Sequence, residues 1–459
     1  MRMKQLLALL LALCMVFALA ACSNNEGETQ SQDPAPASDP AGEDTQEPAP
    51  AGDPVTITVA SFNIGSYTDS AAWDPIIEAF NAEYPNVTVE IMPVTYTDGD
   101  QQLANLIAGG NAPDVVFEGP ERIISQYAKE GLLVDLNDMW AASGADISEG
   151  IASVSQLDGN YYMFPLAVAA HCMAINYEAF EAAGALQYID EETRTWTTDD
   201  FIAACEALRA AMDNGTIDCA ETGIIYCGGQ GGDQGTRALV NNLYSDYYVT
   251  EDGTSYNANS TNNVKALQLL QDMVNNKTMG VSTSYVASDE LQAFANGTCA
   301  MTFCWNYSNY GQYAAQTQFT PFAMAFPSDD GTPELEMAGP YGFCVFDNGD
   351  QAKIDAAKAL IKFICDDTTY GVQAAQTTGF TPVHADWGDI YADFEDYESV
   401  RAQFVTMGDY LGRYYNLTPG WVAQRALWWP MLQEIMGTGA DVQTAADNYV
   451  TQANAAMAG

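Results

Sequence analysis

Basic chemistry is scarce in this chain. Its 459 residues hold two histidines, His171 and His384, and 15 lysines and arginines, against 61 aspartates and glutamates, for a formal charge of −46. So acidic a surface repels phosphate backbones and anionic head groups, which sets nucleic acid aside as a partner. No Cys-x-x-Cys occurs and the two histidines stand far apart, so neither thiolates nor imidazoles offer a zinc set. Gly-x-Ser-x-Gly, His-Glu-x-x-His and Ser-x-x-Lys are all missing, and with them the familiar nucleophile–base arrangements. Carboxylate pairs that could serve a glycosidase are so abundant that no particular pair carries information. The glycine-rich stretch from Tyr226 to Arg237 fails both phosphate-loop patterns: Gly235 is followed by Thr236-Arg237, and Gln234 stands where a dinucleotide fingerprint needs its third glycine. The acidic turn Ser328-Asp329-Asp330-Gly331 lacks the alternating oxygen ligands of a calcium loop. Neither a metal nor a cofactor is expected. Beyond residue 21 no apolar run approaches the length of a membrane span without charges or Gly/Pro breaks.

What is present begins with an export signal over residues 1–21: Arg2 and Lys4, then the apolar run Leu6 to Leu19, then Ala20-Ala21. The sequence Leu19-Ala-Ala-Cys22 resembles the bacterial lipobox, which implies a diacylated Cys22 and an anchor on the outer face of the cytoplasmic membrane. Residues 22–53 contain no aromatic and no aliphatic side chain larger than alanine, so they bury too little apolar surface to offset the entropy of ordering and read as an acidic Pro/Ala-rich tether. The remaining body, residues 54–459, is about 400 residues long, more than one hydrophobic core usually serves, and two lobes are expected. It carries eight cysteines whose pairing the spacing leaves open.

Val55 to Phe62 alternates and is β-branched, Trp73 to Tyr84 places Trp73, Ile76, Ile77 and Phe80 at helical spacing, and Val87 to Ile91 is a second strand. A helix over Leu103–Ile107 stopping at Gly109-Gly110 and a strand Asp114–Phe117 follow, and this alternation predicts a parallel α/β sheet. Thr197 or Thr198 is placed to cap the helix that carries Phe201.

Within this pattern stand Phe80-Asn-Ala-Glu-Tyr-Pro85, Ile107 to Val116, Tyr127 to Leu136, Thr195-Trp196 to Phe201, Phe294 to Met301 with Trp305 after it, Gly339-Pro-Tyr-Gly342, and Trp421 to Met436. In this order across the body they resemble the extracellular solute-binding proteins of ABC importers, the maltose-binding-protein-like group. The resemblance implies a two-lobed periplasmic-binding-protein-like fold of type II, with residues 54–167 plus 328–378 in one lobe and 168–327 plus 379–459 in the other. It also implies a non-enzymatic monomer that captures a solute, a carbohydrate first of all, and passes it to the importer's permease. Ligand is then expected where strand ends meet a cleft. Trp305, Tyr341 and Trp421 would face the C–H surfaces of a sugar, while Asn63, Glu118 and Arg413 or Arg425 would bond its hydroxyls. Gln230 or Asp233, on a flexible loop at the cleft mouth, would add contacts. Each aromatic has core packing as its alternative, and Glu118 a solvated loop. A polyamine or peptide ligand is the rival to sugar, and a surface glycosidase or an adhesin the more distant ones.

Overall fold

The computed structural model describes residues 52–457 except 97, 230–232, 413–417 and 419, and leaves aside the side chains at 337, 338, 397 and 398. The export signal, Cys22 and the tether as far as residue 51 lie outside the described residues, as do Gln230 and Arg413.

The first strand, β1 (Val55–Phe62), pairs in parallel with β2 (Val87–Val94) and β3 (Val115–Glu118), as the strand–helix alternation predicts. Helices α1 (Asp74–Glu83) and α2 (Gly99–Ala108) make the crossovers. Ile57, Val59 and Phe62 of β1 are shielded completely because strands flank it on both sides, whereas β2 at the sheet edge is mostly part-exposed. The sheet continues through β4 (Phe164–Ala170), and the chain then crosses at His171 into β5 (Cys172–Asn176), the centre of a three-stranded antiparallel sheet. Strands β6 (Met301–Trp305) and β7 (Pro321–Met324) flank β5. The chain returns along β8 (Met337–Val345), which lies between β4 and β3, and closes the large sheet with β9 (Thr381–Pro382), giving the order β9-β4-β8-β3-β1-β2.

Two hydrophobic cores result. One gathers the large sheet and α1 around an aromatic cluster in which Trp73 packs edge-on against Phe117 and Phe343; burying each such side chain contributes roughly 1.5–3 kcal/mol. The other surrounds β5 with helices α3 (Thr198–Asp213), α4 (Asp233–Leu243) and, near the C-terminus, α7 (Trp421–Leu432). Thr197 caps α3 through a reciprocal capping box with Asp200. Beside the crossings, Val168, Phe380 and Val383 pack in the first core, and Ala170 and Leu335 in the second. His171, at the first crossing, is buried, its Nε2 lies 3.1 Å from the Phe303 carbonyl, and burial pushes its pKa down to about 4, so the ring is neutral and structural. All eight described cysteines are free thiols.

Helix α5 (Gln351–Asp366) packs on the first core, and between β9 and α7 lies the short helix α6 (Ala402–Gly408).

Candidate functional site

Strand β3 ends at Glu118. Gly119 is still extended, and Pro120, with its φ already helical, starts a turn over Pro120–Ile123. This brings Arg122 one turn beyond Glu118, and its Nη1 donates to Glu118 Oε1 at 2.6 Å. A Cβ at Gly119 would meet the Glu121 carboxylate, the movable end of a side chain. Glu118 is fully buried and its second oxygen accepts from the Tyr96 hydroxyl at 3.0 Å. Burial pushes the Glu118 carboxyl up to about 8, with Arg122 pulling the other way. Arg122 Nε also donates to Asp100 Oδ1 at 2.9 Å, in the first turn of α2 where the helix dipole favours an anion.

The second core supplies the facing half. Asp233 opens α4 and is 1% exposed; Arg425 of α7 grips it with a two-pronged fork, Nε to Oδ2 at 2.8 Å and Nη2 to Oδ1 at 2.7 Å. Arg237, one turn on, donates to the same carboxylate and to Glu336 Oε1 at 3.3 Å. Burial alone would raise the Asp233 carboxyl, but the Arg425 and Arg237 guanidiniums outweigh it and hold it well below the usual carboxylate range.

The halves touch. Arg425 Nη1 lies 3.8 Å from Asp100 Oδ2, beyond hydrogen-bonding distance, and it is buried without a hydrogen-bond partner among the described residues. The Trp421 ring carries both guanidiniums, Arg425 at 4.4 Å and Arg122 at 5.7 Å from its centroid. Beside them opens a cavity of about 330 Å³ whose polar wall is Asp100, Gln101, Arg122, Gln126 and Arg425, with Trp429 as its aromatic face. Guanidinium forks, an amide pair and an indole face suit a hydroxyl-rich, uncharged ligand. Among the described residues no cluster of three His, Cys, Asp or Glu is arranged to hold a metal.

Of the residues expected from sequence, Glu118, Asp233 and Trp421 come together here, with Arg425. Asn63 follows β1, half-buried, and Tyr341 lies half-buried on β8, stacked on Phe380 at 5.3 Å. Two expectations change. Asp233 is not on a flexible loop: it is the first residue of a buried helix. Trp305 is fully buried in the second core against Phe294, because the last residue of β6 points inward. Sequence reasoning missed Tyr96, Asp100 and Arg122; the Glu118–Arg122 spacing across Gly-Pro was the one available signal.

Residues 75–402 match the bacterial extracellular solute-binding protein family, and the chain belongs to it. It is therefore a binding protein of the cell surface or periplasm and not an enzyme. Its fold is that of maltose-binding-protein-like structures, the type II periplasmic-binding-protein fold. The unliganded and acarbose-bound GacH receptor of Streptomyces glaucescens covers 88% of this chain and 99% of its own, at 17% identity and a TM-score of 0.69. A substrate-binding protein of Listeria monocytogenes in complex with cycloalternan covers 88% and 100%, at 19% and 0.70. The arabinooligosaccharide-binding protein of Bacillus subtilis is 23% identical over 210 residues, 44% of either chain, so the match spans less than half of that relative. Among the described residues no helix is long and apolar enough to cross a membrane.

Proposed function

We propose that this chain captures an oligosaccharide between its two cores and delivers it to the permease of an ABC importer, held at the outer face of the cytoplasmic membrane through a lipid on Cys22. The observation that carries the reading is the convergence of Arg122 and Arg425, one from each core, on Asp100 and the Trp421 ring beside a cavity, with the buried Arg425 Nη1 lacking a hydrogen-bond partner. A sugar hydroxyl would satisfy that donor, and a ligand touching both cores at once would favour the closed arrangement of two lobes. The relatives bind arabinooligosaccharide, acarbose and cycloalternan by their names, which supports a sugar. Against a polyamine, the site's carboxylates Glu118, Asp100 and Asp233 are already held by guanidiniums.

Calorimetric titration of the full chain with arabino-, malto- and chito-oligosaccharides, and with spermidine, tests this. Saturable binding of one sugar class, with the sugar recovered intact, supports the reading. Binding of spermidine alone, or cleavage of the sugar, would sink it.

A further inference from the structure

A second cavity, of about 460 Å³, lies beside the crossing segment Val168 to Ala170 and shares no lining residue with the Arg122–Arg425 cavity. Its walls are apolar where Phe380, Phe404 and Leu411 face it. Its one cation among the described residues is Arg401, 9% exposed, whose guanidinium lies 4.3 Å from the Tyr307 ring centre and 4.4 Å from that of Tyr391. Arg401 Nε donates to Asp396 at 2.8 Å, which neutralises its charge, while its Nη1 is buried with no hydrogen-bond partner among the described residues. A buried donor left unmade costs about 1–3 kcal/mol, so an arginine kept this way at a cavity wall points to an acceptor supplied from outside. The two large hydrophobic side chains that stand exposed among the described residues are also here: Val405 lines the cavity, and Phe394 packs 4.1 Å from the Arg401 guanidinium.

The charge around the donor narrows the ligand. With Arg401 already paired, the exposed carboxylates Asp389 and Asp409 on the lining leave the cavity negative, which disfavours an anionic head group. We infer that this cavity binds a small uncharged molecule with an apolar, ring-sized body and one carbonyl oxygen, the oxygen accepting from Arg401 Nη1 and the body lying against Phe380, Phe404 and Leu411.

Prodan, a neutral naphthyl ketone whose emission shifts to the blue in apolar surroundings, is the probe for titration into the full chain, with anilinonaphthalene sulfonate as its anionic counterpart. Saturable one-site binding of prodan is expected, weakened about tenfold by Arg401→Met, the loss of one buried hydrogen bond. Gly408→Trp is expected to abolish it: Gly408 lines the cavity and a Cβ there meets nothing within 4 Å, so the indole fills the space without backbone strain. If Arg401→Met does not fold, Gly408→Trp decides. No saturable prodan binding, binding unchanged in Gly408→Trp, or equally tight binding of the sulfonate overturns the inference.

Discussion

Arg122 and Arg425 meet on one carboxylate. Asp100 accepts from Arg122 at 2.9 Å and lies 3.8 Å from Arg425, so guanidiniums belonging to different hydrophobic cores share an anion over the same indole. Contacting charges are not energetically independent. In a double-mutant cycle of Arg122→Ala and Arg425→Ala, a coupling energy of about 0.5–3 kcal/mol is expected in chemical denaturation. Additive effects would show that the two cores do not communicate through Asp100.

Arg425→Ala alone leaves Asp233 buried with Arg237 as its remaining cationic partner among the described residues, and breaking such a pair costs about 3–5 kcal/mol. Arg425→Lys keeps the charge and loses the fork, so it should recover stability only in part. Melting curves of both variants check this, and full recovery by lysine would remove the role given to the fork.

Trp421→Leu keeps an apolar side chain and deletes the surface under both guanidiniums. It should weaken oligosaccharide binding through mispositioned arginines, and cost roughly 0.5–2 kcal/mol of stability from the lost cation–π contacts. Calorimetry beside a denaturation curve separates the two effects.

A pH effect arises away from the site. Glu290 is fully buried, accepting from the Thr302 hydroxyl at 2.6 Å and the Phe303 amide at 3.0 Å, and burial pushes its carboxyl up to about 8. The folded protein therefore holds a proton that the unfolded chain releases near 4.5. Its stabilising contribution is complete below that value and is lost as pH rises towards 8, at about 1.4 kcal/mol per pH unit. Glu118 titrates in the same direction, so the measurement is wild type against Glu290→Gln across pH 5.5 to 8. A gap that narrows with pH is the expected outcome, and a constant gap contradicts it.

Gly235 lies two residues after Asp233, and a Cβ there would fall on the Phe303 carbonyl and the Tyr226 hydroxyl. Gly235→Ala should destabilise by about 1–3 kcal/mol through overpacking and weaken sugar binding by moving Asp233. Wild-type melting and binding in this variant would place α4 farther from β6 than the structure has it.

Much of this architecture is written locally. The β-branched run of β1, the helical spacing from Trp73 to Phe80 and the cap at Thr197 are set by backbone preferences acting over a few residues, so their periodicity is legible in sequence. Glu118 could be read as the end of a buried strand. The direction of Trp305 could not, because whether a strand's last side chain meets core or cleft depends on what packs above it, here Phe294. Nor could the pairing of Asp233 with Arg425, or of Arg122 with Asp100: a salt bridge leaves no periodic trace, and each pair joins two elements of one core that meet only in the folded chain. The sequence by itself determined an acidic, exported α/β chain of two cores; the tertiary structure decided which of its few arginines face each other, since Coulomb attraction depends on distance in space rather than along the chain.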